Sequence, residues 1–417
     1  MSPASISTIL SSASVDLTPY EALYKHFHST PELSLQERAT AAKCAAHLAS
    51  LGAHYDIHTN IGGHGLAGVF RNGPGKTILL RADMDALPVK ELTGLPYAST
   101  VTMRDADGVE KPAMHACGHD MHMTCLLAAA ETLVNAKDAW SGTLIVLFQP
   151  NEERGAGAQA MVDDGLYDKI PVPDYVFGQH VMRLRAGTIG SRPGTIMAAC
   201  DSMKVTVFGR GGHGSLPHYT VDPALLAAHI VVRLQGIVSR EVDPSDLAVV
   251  TVGSLQAGQT ENVIADRAEI GLDFRTVRLE TREKVIAAIR RIVEAECVAS
   301  GSPRPPVFVP TRRFPATNND AGLAAVLAGE FAGHFGEAFD ADTARTNVSE
   351  DFPTLATAIN VPSCFWFLGG IDHALWDQGA TDEIPGNHSA LFAPVIQPTL
   401  KAGVDALCIA ALTFLKK

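Results

Sequence analysis

Apolar positions near the N-terminus recur at helical spacing and then give way to shorter apolar runs at strand spacing. Leu17–His28 and Leu35–Leu51 each carry an apolar stripe and predict two amphipathic helices. Gly65–Phe70 and Thr77–Ala82 predict strands around a turn rich in glycine and proline. Leu144–Phe148 is a short continuous apolar run and predicts a buried strand. This alternation of helices and strands predicts an α/β domain built on a central sheet.

A second block of strands and helices begins near residue 198. Its predicted order is strand, helix, strand, strand and helix, over Ser202–Phe208, Asp222–Ile237, Ala248–Gln256, Ala268–Arg275 and Glu280–Ala299. The Pro-rich stretch Ser302–Pro310 marks its end. Beyond that stretch the chain predicts a helix over Asp320–Phe335, a strand over Ser363–Leu368 and a closing helix, broken near Pro394 and Pro398, over Leu391–Leu415. We therefore predict a catalytic domain, residues 1–197 and 310–417, interrupted by a smaller α+β domain, residues 198–309, whose sheet has one open face.

Size and charge exclude several classes of protein. At 417 residues the chain is long enough for two domains, and its 46% of hydrophobic residues can fill a core in each. A formal net charge of −12, with no basic run containing aromatic residues, argues against binding to nucleic acid. No apolar run approaches the roughly 18 residues that a membrane-spanning helix needs. No basic residue precedes the apolar patch near the N-terminus and the seven cysteines are scattered, so we expect no secretory signal and a cytoplasmic location.

The stretch Met114–His122, which reads MHACGHDMH, brings a thiol and three imidazoles together ahead of an apolar run. Thiolate and imidazole ligands favour zinc and neighbouring transition metals over magnesium or calcium. Cys117 and His119 are two positions apart, which directs both side chains the same way in an extended or turned segment. A small buried thiol is the structural alternative for Cys117. Gly118 predicts that the helix starts only after Asp120. We expect the carboxylate of Asp120 to orient a ligand imidazole.

Three segments farther along the chain offer further donors. They are QPNEE at Gln149–Glu153, FGQH at Phe177–His180 and GNHS at Gly386–Ser389. The first follows the predicted buried strand, where two adjacent carboxylates would repel each other unless a cation lay close by. With a cation, one of Glu152 and Glu153 could act as a ligand while the other acts as general base towards water. A solvated turn is the alternative for this pair, and His180 and His388 taken singly would be ordinary, partly buried histidines.

Two other patterns lack the context that their chemistry needs. Gly63–Gly68 matches GxGxxG, but it leads into predicted strands instead of joining a strand to a helix, which disfavours dinucleotide binding. His115 and His119 have the spacing of the HExxH metallopeptidases, but Ala116 stands where that motif has its catalytic glutamate.

Taken in order, the chemical segments resemble the amidohydrolase branch of the aminoacylase/carboxypeptidase metallohydrolase superfamily, which includes hippurate hydrolases and hydrolases of indole-acetyl amino acid conjugates. The similar segments extend from His28 to Ser389: HSTPELSLQE, LLRADMDALP, MHACGHD, FQPNEE, FGQH, GRGGHGSLPH, GQTENVIAD, DFRT, SEDF, FLGG and NHS. Two positions depart from the family pattern, Ala265 and Ala390, where relatives often have proline. Neither departure removes a metal donor.

The resemblance implies two divalent metal ions per subunit, with Mn²⁺ or Zn²⁺ favoured and Co²⁺ or Ni²⁺ as alternatives. It implies five metal ligands: Cys117, His119, Glu153, His180 and His388. It implies Glu152 as the general base and Asp85 as a carboxylate that orients a ligand. It also implies that His213 reaches the active site of a partner subunit, while Asn262 and Arg275 bind the scissile carbonyl and the substrate carboxylate.

The fold that the resemblance implies is a metallo-exopeptidase-type α/β catalytic domain with a mixed sheet, interrupted by a ferredoxin-like lid that forms a homodimer or a higher homo-oligomer. The implied reaction is hydrolysis of a small N-acyl amino acid to a carboxylic acid and a free amino acid. Dipeptidase, carboxypeptidase and N-acetyl amino acid deacetylase activities are alternatives on the same scaffold. A protein that binds metal or peptide without catalysis is disfavoured, because it would not need Glu152 as a base.

Overall fold

The structure, a computed structural model, describes residues 5–105, 108–379 and 383–417. These residues divide between two units. The first is drawn from Met1–Ile196, Asn318–Ala344 and Asp351–Lys417, and the second from Met197–Thr317 and Arg345–Glu350. Within the described residues, no helix combines the length and the apolar character needed to cross a membrane.

The α-helices of the described residues are, in chain order, α1 (Ile6–Ala13), α2 (Thr18–Ser29), α3 (Arg38–Ser50), α4 (His119–Asn135), α5 (Gly157–Asp163), α6 (Leu166–Lys169), α7 (Pro223–Gly236), α8 (Leu279–Ala299), α9 (Ala321–Phe335), α10 (Pro353–Thr357), α11 (His373–Asp377) and α12 (Thr399–Leu415). The strands are β1 (Asp56–Ile61), β2 (Gly65–Arg71), β3 (Thr77–Asp83), β4 (Thr102–Arg104), β5 (Glu110–Pro112), β6 (Thr143–Gln149), β7 (Tyr175–Arg185), β8 (Ile189–Gly190), β9 (Gly194–Met197), β10 (Ala199–Phe208), β11 (Gly212–His213), β12 (Ala248–Ala257), β13 (Val263–Ile264), β14 (Arg267–Thr276), β15 (Val307–Phe314), β16 (Thr317–Asn319), β17 (Phe339–Asp340) and β18 (Ser363–Ile371).

The first unit is built on a mixed sheet with the strand order β1-β2-β6-β3-β7-β18-β8-β17. Its four central strands, β6, β3, β7 and β18, run parallel, whereas β1 and β2 pair antiparallel at one side. The central strands are almost wholly buried because helices cover the sheet, with α4 and α12 packed on each other in the main core. This confirms the predicted α/β class with a mixed sheet.

The second unit contains an antiparallel sheet with the strand order β12-β14-β10-β15. Strand β14 alternates between buried and partly exposed residues, and α7 and α8 cover the buried face of the sheet. Strand β15, which crosses the predicted boundary at residue 310, pairs with β10 from Val307 to Phe314 and so belongs wholly to this unit. The lid and dimerisation role of the unit stays a prediction.

Three predicted helix boundaries are wrong. Helix α3 begins at Arg38 and not at Leu35, because Leu35 has a left-handed backbone with φ 71°. Helix α4 begins at His119, before Asp120. Helix α12 begins only at Thr399, since the prolines in the preceding segment cannot donate the backbone hydrogen bonds of a helix.

Candidate metal centre

The candidate site lies in the first unit, where parallel strands end beside the N-terminus of α4. Strand β3 ends at Asp83, β6 ends at Gln149, and β7 carries His180 along its buried length. Carboxyl ends of parallel strands meet at one edge of a sheet, so the side chains that follow them converge. Because the strands end at the same edge, the sequence segments that offer metal donors lie close together in the folded chain.

Gly118 determines how the chain enters α4. Its backbone is left-handed with φ 85°, and a Cβ added there would lie 2.2 Å from Val181 Cγ1. Only glycine combines this conformation with so close an approach. The turn places Cys117 just before the helix and His119 at its first residue, and both side chains are buried.

The five predicted ligands come together in the folded chain. Cys117 Sγ lies 3.5 Å from His180 Nε2 and 3.2 Å from His388 Nε2. Glu153 places Oε2 3.4 Å from His388 Nε2 and Oε1 3.7 Å from His119 Nε2. Sulfur, imidazole and carboxylate donors therefore surround one small volume. Their assignment as metal ligands stays a prediction.

Some buried polar atoms at the centre lack hydrogen bonds, which supports the presence of a cation there. His119 Nε2 and Glu153 Oε1 are buried without a hydrogen-bond partner within the described chain, whereas His119 Nδ1 lies beside Asp85. Buried polar atoms of this kind are costly unless something else satisfies them. Four buried or nearly buried carboxylates, Asp83, Asp85, Glu152 and Glu153, crowd His119. The residues present fit divalent metal ions that accept nitrogen, sulfur and oxygen ligands.

The pKa values at the centre reflect the same crowding of negative charge. Burial lowers the pKa of His119, but Asp83 and its neighbouring carboxylates outweigh burial and raise the pKa to about 10. Burial, reinforced by Glu153 and Glu152, raises the pKa of the Cys117 thiol well above its usual value. Burial also raises the pKa of Glu153. In the protein alone, protons therefore occupy positions that a cation could take.

Asp83 and His122 form a buried pair beside the proposed ligands, and sequence reasoning missed both Asp83 and this pairing. His122 Nδ1 lies 2.6 Å from Asp83 Oδ1, while His122 Nε2 accepts a hydrogen bond from Val181 N–H at 2.7 Å. Arg81 donates to the other oxygen of Asp83 at 2.7 Å. The signal was present in the DMD sequence, where Asp83 stands two residues before Asp85, but nothing in the sequence pairs it with His122.

Asp85 and Asp120 have different surroundings. Asp85 Oδ1 lies 3.3 Å from His119 Nδ1, and its Oδ2 accepts hydrogen bonds from Ser34 Oγ and from the backbone N–H of Glu153. The expectation that Asp120 orients a ligand imidazole is wrong. Asp120 Oδ2 instead contacts His28 Nδ1 at 2.7 Å.

The remaining predicted site residues, His213, Asn262 and Arg275, lie in the second unit. His213 is exposed, and its Nδ1 accepts hydrogen bonds from Ser215. The backbone carbonyl of Asn262 accepts a hydrogen bond from Gly214 N–H beside it. Arg275 donates from Nε to Asp273 at 3.1 Å and from Nη1 to Ser349 Oγ and the Asn347 carbonyl, both at 3.1 Å. Their roles towards a substrate stay predictions.

Comparison with known proteins gives consistent matches. The model of peptidase family M20/M25/M40 matches residues 79–385. A hippurate hydrolase of Campylobacter jejuni is 42% identical over 282 residues, covering 66% of this chain and 70% of that protein. An IAA-amino acid hydrolase of Arabidopsis thaliana is 34% identical over 348 residues, covering 83% of this chain and 76% of that protein. A crystal structure of a dinuclear metal binding peptidase from the M20 family, from Bacillus subtilis, is similar with a TM-score of 0.74 and 27% identity, covering 95% of this chain and 98% of that one.

Proposed function

The chain belongs to the peptidase family M20/M25/M40, and from this premise we propose that it hydrolyses N-acyl amino acids to a carboxylic acid and a free amino acid. It is a hydrolase of amide bonds. Two relatives support the narrower substrate class, since hippurate and indole-acetyl amino acid conjugates are both N-acyl amino acids. The observation that carries the proposal is the convergence of a thiol, three imidazoles and a carboxylate beside a second buried carboxylate.

The proposed metal ligands are Cys117, His119, Glu153, His180 and His388. They would hold a pair of divalent ions, Mn²⁺ or Zn²⁺ before Co²⁺ or Ni²⁺, a number supported by the similar dinuclear structure. When bound, such ions lower the pKa of a water molecule towards about 7. Asp85 would fix the orientation of the His119 ring through the 3.3 Å contact at Nδ1.

Glu152 is proposed as the general base. Its side chain is nearly buried, and Oε2 lies 3.9 Å from His119 Nε2, beside the proposed ligands. From there the carboxylate would accept a proton from the attacking water and return it to the leaving amine. A carboxylate that is close to the ligands without being one of them suits this transfer.

The second unit is proposed to bind the substrate. Arg275 would hold the substrate carboxylate, and Asn262 and His213 would contact the scissile carbonyl, where one well-placed donor contributes about 3–4 kcal/mol to the transition state. We propose that His213 acts across a homodimer formed through this unit. The exposed edge strand β12 supports a dimer, because an unpaired edge can pair with a second copy.

The proposed location is the cytoplasm. All seven cysteines lie in described parts of the chain and are unpaired, as expected in a reducing compartment.

A substrate panel and one variant test the proposal. Purified protein, analysed for bound metals, is assayed with hippurate, N-acetyl amino acids and dipeptides before and after chelation. We expect cleavage of the N-acyl amino acids that is lost on chelation and restored by Mn²⁺ or Zn²⁺. Faster cleavage of dipeptides would favour the peptidase alternative, and N-acetyl substrates alone would favour the deacetylase.

The variant Glu152→Gln tests the general base. The amide cannot accept the proton, so we expect turnover to fall at least about 10²-fold while the metal content stays at the wild-type value. Asp164→Asn, at an exposed position of the same unit, serves as the control and should keep activity. Substantial activity in Glu152→Gln would contradict the assignment.

A further inference from the structure

The segment Glu32–Glu37, which joins α2 to α3, contacts both turns that carry the proposed catalytic carboxylates. The carbonyl of Glu32 accepts a hydrogen bond from Ala86 N–H at 2.8 Å, next to Asp85. Ser34 Oγ donates to Asp85 at 2.7 Å. Glu37 then reaches the other turn, which follows β6. We call Glu32–Glu37 the brace segment.

Glu37 is fully buried and its Oε1 accepts two backbone hydrogen bonds. One comes from Leu35 N–H at 2.9 Å and the other from Asn151 N–H at 2.8 Å. Both donors have left-handed backbones, with φ 71° at Leu35 and φ 55° at Asn151. Such conformations are rare for residues other than glycine and persist where surrounding contacts hold them. One carboxylate oxygen therefore holds two strained positions.

Asn151 immediately precedes Glu152 and Glu153. Its backbone conformation sets the direction in which the following two residues leave β6, and hence where their carboxylates point. The backbone N–H of Glu153 is held from the other side by Asp85 at 3.0 Å. Two side chains thus bind the backbone of the turn: Glu37 accepts from Asn151 N–H at its start, and Asp85 accepts from Glu153 N–H at its end.

The Glu37 side chain is not buried in order to cap the N-terminus of α3. The N-terminal N–H groups of Ala39 and Thr40 are already bound by the Glu32 carboxylate, at 3.1 Å and 2.7 Å, and Glu37 makes no side-chain cap. Glu37 Oε2 has no hydrogen-bond partner within the described chain. The hydrogen bonds of this buried side chain therefore all go to Leu35 and Asn151.

We propose that Glu37 is a positioning residue that holds the Asn151–Glu153 turn, and with it the base Glu152 and the ligand Glu153, in the geometry for hydrolysis. The inference rests on the proposed function, because it assigns a role to the same site. It predicts that kcat depends on the length of the Glu37 side chain, which brings Oε1 to Asn151 N–H, and not on the charge of that side chain. A misplacement of about 1 Å in a catalytic group can cost about 10²-fold in rate.

Two substitutions separate reach from charge. Glu37→Gln keeps an oxygen at the same distance from Asn151 N–H but removes the charge, whereas Glu37→Asp keeps the charge and withdraws the oxygen by one methylene. We expect Glu37→Gln to retain most of kcat and Glu37→Asp to lose about 10²-fold in kcat with KM little changed. Glu32→Ala is the matched control, since it removes the hydrogen bonds of the Glu32 carboxylate to Ala39 and Thr40 in α3 and removes no contact with the Asn151–Glu153 turn. It should lower the unfolding temperature but leave kcat near the wild-type value.

The visible absorption spectrum of the Co²⁺-substituted protein gives a readout besides activity. Because Glu153 is a proposed ligand, Glu37→Asp should shift this spectrum, while Glu37→Gln and Glu32→Ala should leave it unchanged. Equal kcat and equal spectra in Glu37→Asp and the wild type would overturn the inference, as would a loss in Glu37→Gln as large as in Glu37→Asp. If the wild-type protein binds Co²⁺ but cleaves no amide, the proposed function fails, and the spectral comparison alone still tests the role of Glu37.

Discussion

At the scale of single residues, His28 shows how a fully buried polar side chain is stabilised by its neighbours. Its ring lies between two carboxylates, with Nδ1 2.7 Å from Asp120 and Nε2 2.9 Å from Glu91. Burial alone lowers the pKa of His28, but the hydrogen bonds to Asp120 and Glu91 outweigh it and raise the pKa to about 10. The charged imidazolium is therefore the form that the folded protein favours.

A pH dependence of stability follows from this pKa. Because the folded value lies above the unfolded value of about 6.5, the stabilisation is complete below about pH 6.5 and is lost as the pH rises through 10. We expect His28→Gln to lower the free energy of unfolding by about 3–5 kcal/mol at neutral pH, since it removes the positive charge that lies between the carboxylates of Asp120 and Glu91. Urea unfolding of both proteins from neutral to alkaline pH should show this difference narrowing. A difference that stays constant up to pH 10 would show that His28 is not charged in the folded state.

Sequence reasoning identified donors better than it identified their partners. Cys117, His119 and the Glu152-Glu153 pair were found because their residue types and local context indicate metal chemistry. The contact between His28 and Asp120 and the one between Asp83 and His122 join segments far apart in the chain. No local pattern specifies such pairs, because the first forms only when α2 packs against α4 and the second only when β3 packs against α4.

At the scale of elements, the start of α4 depends on a single glycine. Gly118→Ala would place a methyl group 2.2 Å from Val181 Cγ1 on a backbone with φ 85°. The left-handed backbone costs a non-glycine residue about 1–2 kcal/mol, and overpacking typically adds about 1–3 kcal/mol. We therefore expect a loss of about 2–5 kcal/mol in unfolding free energy, together with weaker metal binding, because Cys117 and His119 flank the turn.

A double variant separates the two causes. Val181→Ala removes the atom that Gly118→Ala would strike, so the double variant should recover the overpacking part of the loss and keep the backbone part. Denaturant unfolding of the two single variants and the double variant measures the recovery. A loss in Gly118→Ala that Val181→Ala does not reduce at all would show that the close approach is unimportant.

Elements with a strong periodic pattern were predicted from sequence, and those shaped by contacts elsewhere were not. Helix α2 and strands β3 and β6 lie within a residue or two of their predicted bounds. The predicted start of α3 was wrong because the Glu37 side chain holds Leu35 in a left-handed conformation. The spacing of apolar residues carries no information about such a contact. Strand β15 was missed because Pro310 argues against a central strand, although proline is tolerated at the edge position that β15 occupies.

At the scale of the whole molecule, burial of so much negative charge links metal binding to protonation. The first unit places the buried or nearly buried carboxylates of Asp83, Asp85, Glu152 and Glu153 around one imidazole, that of His119. Without a cation, Glu153 and the neighbouring Cys117 thiol bind protons more tightly than usual, because burial raises the pKa of both groups, and metal ligands cannot keep these protons. The protein should accordingly be more stable with metal than without it, because binding to the folded state alone shifts the unfolding equilibrium.

Metal binding should therefore release protons at neutral pH. Burial raises the pKa of the Cys117 thiol well above its usual value and also raises the pKa of Glu153, so both bind protons more tightly in the metal-free protein. Both must lose them to coordinate a cation. Titration calorimetry with Zn²⁺ in two buffers of different ionisation enthalpy measures the protons released, and Cys117→Ser should reduce the number by about one. If the observed heat is the same in both buffers, no proton is released, and Cys117 is not a ligand in its thiolate form.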